Sequence, residues 1–153
     1  MIKYLNKKFK VLMLRILKPL VDEINYTTHT IYGYRERIDI HPNAKVINSL
    51  FNTFSGTITV EEYAFTGHNV SFLTGSHDYH KKNKERMLEI PKNGHDIYVE
   101  KGAWIGSNCT IIGPCRIGKD AVIAAGSVVI NDVKPGTIVG GIPCKLIRKI
   151  NFD

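Results

Sequence analysis

Six histidines and three cysteines are the side chains of this 153-residue chain best suited to move protons, hold a metal or act as nucleophiles. Cys109, Cys115 and Cys144 form an odd set without Cys-x-x-Cys spacing and sit among apolar or small residues. They predict neither a zinc site nor a disulfide framework, and they fit a reducing, cytoplasmic compartment. Histidine can accept a proton near neutrality because the unperturbed imidazole titrates at pH ~6.5. His77 stands apart because it follows Gly75 and Ser76 just before a charged stretch, where a ring can face a groove. His68, His80 and His95 read as corner and loop residues. His41 and His77 are 36 residues apart, but their registers do not stack, so a shared metal is not expected. Asp78 adjoins His77, yet adjacent side chains on an extended segment diverge, and it is not assigned as an orienting acid. No Walker or dinucleotide glycine motif is present.

The elements that must position these groups are written in a repeat of six. Val99, Ile105, Ile111, Ile117, Ile123 and Val129 are six apart, and four residues after each come Ala103, Cys109, Cys115, Ala121, Ser127 and Val133. That period fits neither a helix nor a simple hairpin; it fits short strands joined by tight turns and stacked coil on coil. Gly102, Gly106, Gly113, Gly118 and Gly126, with Asn108 and Asp120, supply the corners. The product is an all-β solenoid, a parallel β-helix. Ile40 and Val46 extend the register backward, but Val46 to Val60 is two residues too long, which predicts a bulge or short loop near 48–56. Residues 78–96, rich in charge and holding Pro91 and Asn93-Gly94, leave the coil as an inserted exposed loop, either functional or a tolerated insertion.

The division is an N-terminal segment over 1–28 and a β-helix domain over 29–150. Ile2, Leu5, Phe9, Leu12, Ile16 and Leu20 recur at helical spacing. Six basic residues and no acid lie in 1–20; removing these six from 21 leaves 15 basic against 14 acidic, so the body is nearly neutral and nucleic-acid binding is not expected. This basic amphipathic helix either caps the coil's open end or docks on an anionic membrane. No apolar run reaches the ~18 residues of a membrane span, and Arg15 and Lys18 interrupt any signal-like stretch. The basic tail KLIRK, after Gly140-Gly141, reads as a short helix.

The stretch WIGSNCTIIGPCRIGKDAVIAAGSVVINDVKPGTIVGGIPCKLIRKI is similar to the C-terminal part of the galactoside and maltose O-acetyltransferases. FLTGSHDY resembles the active-site segment of colanic-acid type exopolysaccharide O-acetyltransferases. Both belong to the hexapeptide-repeat acyltransferases, whose fold is the left-handed parallel β-helix. The left hand comes from this resemblance, since general chirality favours right-handed crossovers.

The resemblance implies acetyl-CoA as donor, a sugar or glycan hydroxyl as acceptor, no metal, and a homotrimer with sites between subunits. It implies His77 as general base and direct attack of the acceptor oxygen on the thioester. Asn52 matches, through a gap, an asparagine at the acceptor or reaction centre, and is otherwise a turn residue. Trp104 lies beside the thioester in the resembled enzymes, and also reads as an interface anchor. Ser107 and Ala125 match groove-lining main chain, and Lys145 and Arg148 match phosphate-binding cations. Ile130-Asn131 stand where relatives often carry Thr-Lys, one phosphate contact fewer. The competing readings are a non-catalytic scaffold and a serine acetyltransferase; the latter usually carries a large helical N-terminal domain, whereas only ~20 helical-looking residues precede the coil here.

Overall fold

The computed structural model describes residues 7–152, with 7, 8, 10 and 21–27 described by backbone alone. Helix α1 (Lys7–Thr27) leads into a parallel β-helix of three faces. The first face stacks β1 (Thr30–Tyr32), β3 (Leu50–Asn52), β6 (Ser71–Leu73), β9 (Thr110–Ile112) and β12 (Val128–Val129). The second holds β2 (Ile38–Ile40), β4 (Ile58–Val60), β7 (Ile97–Val99) and β10 (Cys115–Ile117). The third holds β5 (Phe65–Thr66), β8 (Trp104–Ile105), β11 (Val122–Ile123), β13 (Thr137–Gly141) and β14 (Cys144–Lys149).

The expected ladder is the core. Phe51 lies in register with Ile31 and Phe72, and the Phe51 and Phe72 rings stack at 5.1 Å. Ile111 and Val129 continue the column, and Ile105, Ile117 and Ile123 are fully buried. The small positions of the hexads are explained by the corner between the second and third faces. There Ala64, Ala103 and Ala121 donate their N–H three residues back, to Glu61, Glu100 and Gly118 O. The residues just before them, Tyr63, Gly102 and Asp120, have φ of +59°, +72° and +55°. At the corner between the third and first faces the same role falls to Asn69, Asn108 and Gly126, and the asparagines form a ladder from Asn48 through Asn69 to Asn108.

The two-residue slip between Val46 and Val60 divides between two corners. Three residues, 47–49, link the third face to β3, where later coils use four; five residues, 53–57, link β3 to β4, where β9 and β10 are joined by two. Three extra and one fewer give the net two. A strand, β3, thus occupies the stretch expected to bulge. The corner between the first and second faces also takes the excursion, residues 74–96. This is the first corner, and it absorbs the chain's insertions.

Three expectations are corrected. The excursion is not wholly loop: α2 (Asn83–Leu88) forms within it, where Arg86 donates to Tyr79 O and Lys81 O. The tail is not a helix. Gly141, with φ of +103°, and Pro143 turn the chain, and β14 pairs antiparallel with β13, covering the edge that the last coil would leave open. Finally, α1 does not bury its apolar face on the coil, since Phe9, Leu12, Ile16 and Leu20 are all exposed. Ile2 and Leu5 of the expected helix lie outside the described residues.

Candidate active site

His77 is exposed on the outgoing leg of the excursion, just past the end of β6. The leg is anchored to the preceding coil. Thr74 N–H donates to Asn52 O at 2.9 Å, and Ser76 N–H donates to Ser55 Oγ at 3.3 Å. Ser55 also holds the return leg, accepting at its carbonyl from His95 N–H at 3.1 Å. Asn52 closes β3, and its amide lies directly against Gly75, so close that a Cβ on that glycine would collide with it. The fold thus brings His77 and Asn52 to one corner. Asn52 Oδ1 accepts from Phe54 N–H at 3.2 Å, which fixes the carbonyl end. Asp78 Oδ1 accepts from His80 N–H at 2.9 Å and so caps a turn.

The other expected residues gather elsewhere. Ser107 and Ala125 occupy successive levels of the corner between the third and first faces, tied by Gly126 N–H donating to Ser107 O at 2.9 Å. Lys145 and Arg148 are exposed on β14, opposite Gly140 and Ile138. Gly140 packs against Ala124, so the hairpin carrying both cations leans on that same ridge. Trp104 lies on the third face, 46% exposed and stacked on Phe65 at 5.7 Å. That face is opposite the first corner. A single chain therefore presents two separate groups of the expected residues, an imidazole and amide at one corner and a ridge with two cations at another.

The remaining reactive groups are differently placed. His41 sits at the corner after β2, not the one carrying His77, and its Nδ1 accepts from Asn43 N–H at 3.1 Å. Among the described residues no group of three His, Cys, Asp or Glu side chains is arranged to hold a metal. Burial pushes the Cys115 thiol up to about 12 and raises Cys109 and Cys144 as well, so none is prepared as a nucleophile. Sequence reading passed over Arg37, which follows the 3-10 turn before β2. Its Nη1 donates to Thr53 O and Phe54 O at 3.2 Å each and to Lys92 O at 2.9 Å. The acceptors are carbonyls as far as 55 residues away, which no side-chain pattern signals.

A coil of hexads of this kind has known relatives. The bacterial transferase hexapeptide (six repeats) model matches residues 96–131. The acetyltransferase-like protein YJL218W of Saccharomyces cerevisiae is 31% identical over 145 residues, 95% of this chain and 72% of that protein. A galactoside O-acetyltransferase of Escherichia coli K12 is 32% identical over 123 residues, 78% of this chain but 58% of the enzyme. A solved galactoside acetyltransferase in complex with coenzyme A superposes with a TM-score of 0.57 at 25% identity, over 90% of this chain and 72% of that one. The chain belongs to the hexapeptide-repeat transferases, an acyltransferase family.

Proposed function

We propose that this acyltransferase takes an acetyl group from acetyl-CoA and places it on a sugar hydroxyl, in the assembly of a surface polysaccharide. The observation that carries the reading is the meeting of the His77 ring-bearing leg with the Asn52 amide at the corner where the coil is interrupted. His77 takes the proton of the acceptor hydroxyl as its oxygen attacks the thioester carbonyl carbon. The Asn52 amide donates to the developing oxyanion or holds the hydroxyl. Collapse of the tetrahedral intermediate breaks the carbon–sulfur bond, and the departing thiolate takes the proton back from the imidazolium. No acyl-enzyme is needed, in keeping with the buried thiols.

Coenzyme A lies along the ridge of Ser107 and Ala125, with Lys145 and Arg148 toward its phosphates. Because this ridge and the His77 corner are far apart around one coil, the working site is completed between copies of a homotrimer, with the left-handed coil of the family. Trp104 serves at that junction, next to the thioester. Replacing His77 by Ala should keep acetyl-CoA binding, read as a thermal shift, and lower turnover at least ~10²-fold. Unchanged turnover would remove the base from the mechanism.

The exposed apolar side chains of α1 and the basic residues around them support a peripheral contact of this helix with an anionic membrane at its cytoplasmic face. No described helix is long and apolar enough to cross one.

A further inference from the structure

Residues 77–94 are joined to the coil at their two ends by Ser55, and most hydrogen bonds along their length close on the segment itself. Asp78 accepts from His80, and Arg86 donates to Tyr79 O and Lys81 O. Among the described residues, the hydrogen bond crossing from the middle of the return leg to the coil is the one that Arg37 donates to Lys92 O, at 2.9 Å. The same nitrogen donates to Thr53 O and Phe54 O, the two residues that follow Asn52. Phe54 in turn donates its N–H to Asn52 Oδ1. Arg37 is half-buried, and its guanidinium lies 4.9 Å from the Tyr34 ring, which meets Phe54 edge-on at 6.3 Å. The next arginine along, Arg35, is exposed.

We propose that Arg37 is a positioning residue: it pins the return leg of the excursion to the corner bearing Asn52, and so sets the opening through which an acceptor reaches His77. The physical basis is a charged donor shared between two neighbouring carbonyls of the 53–57 corner and one carbonyl of the return leg, with the charge strengthening the contacts it makes. Among the described residues no other hydrogen bond ties 81–94 to the coil, so the placement of the return leg leans on that donor. The guanidinium touches neither the reacting atoms nor the ridge assigned to coenzyme A, so its loss should act on the acceptor side alone. This inference rests on the acetyltransferase reading above.

The test uses the full chain with acetyl-CoA as donor and methyl β-galactoside as acceptor probe, beside hydrogen exchange read by mass spectrometry. Arg37→Ala should speed exchange in peptides from 78–94 while leaving the core strands unchanged. It should lower kcat/KM for the galactoside at least ~10-fold with the KM for acetyl-CoA unaltered. Arg37→Lys, whose ammonium has three donors for the same carbonyls, should recover part of both effects. Unchanged exchange in 78–94, or equal shifts in both KM values together with a lower Tm, would overturn the proposal. Should Arg37→Ala fail to fold, Arg37→Gln is judged by the same readouts. A wild-type protein that acetylates no sugar would overturn the function, while the exchange data alone would still decide the tether.

Discussion

At position 75 a methyl group would overlap the Asn52 amide, because an ideal Cβ there falls inside contact distance of Oδ1, Nδ2 and Cγ of that side chain. The colliding atoms are the end of a side chain rather than backbone, so Gly75→Ala should swing Asn52 aside and leave the coil folded. The expected result is a Tm close to wild type with turnover at least ~10-fold lower; full turnover would mean that Asn52 takes no part in transfer. At this scale the sequence was partly legible. His77 could be singled out through its Gly-Ser flank and the resemblance around it. Asn52 was aligned only through a gap, and its contact with Gly75 depends on a corner whose length no period predicts. Arg37 left no trace in the sequence, since any arginine can bond a carbonyl and its partners come from two segments, 53–54 and Lys92, that are distant in the chain.

Among the elements, the first coil carries a histidine that works only when neutral. Ser49 N–H donates to His29 Nδ1 at 3.2 Å, and the ring meets Phe51 edge-on at 5.4 Å. Burial, with Arg35 nearby, holds the imidazole below its ordinary value of 6.5. The unfolded chain therefore binds the proton more readily, and the stabilisation present above pH 6.5 is lost as pH falls through the folded value. Unfolding followed from about pH 8 to about pH 5 should show that loss in the wild type and a flatter profile in His29→Asn; identical profiles would mean that His29 does not couple to folding. Helix α1 makes a separate prediction. Its exposed Phe9, Leu12 and Ile16 should carry the protein down with phosphatidylglycerol vesicles and not with phosphatidylcholine ones, and Leu12→Glu with Ile16→Glu should abolish pelleting. Binding to neither vesicle would leave α1 to a protein partner.

The strands were legible because burial alternates within each hexad and every coil repeats the same demand. The tail was not. A six-residue basic segment has helix-compatible residues, and its fate as β14 is decided by an open sheet edge that only the assembled solenoid presents. The same holds for α2, which is stabilised by Arg86 reaching back to carbonyls of its own loop and not by an apolar stripe.

For the whole molecule, the period does more than build a core: it fixes which residues can share a site. Three corners run the length of the coil, and insertions collect at the one bearing His77 and Asn52. The ridge of Ser107 and Ala125, with the β14 cations, follows another, so on the proposed reading chemistry and donor binding are separated around one chain and joined by association. The measurement that tests this most directly is subunit mixing. His77→Ala and Ala125→Trp, which fills the donor ridge, should each be inactive alone. Refolded together in equal amounts, they should recover about a quarter of wild-type acetyl transfer, the share of junctions that pair an intact His77 with an intact ridge in a ring of mixed copies. No recovery from mixed trimers would contradict a site shared between chains and return both halves of the chemistry to one.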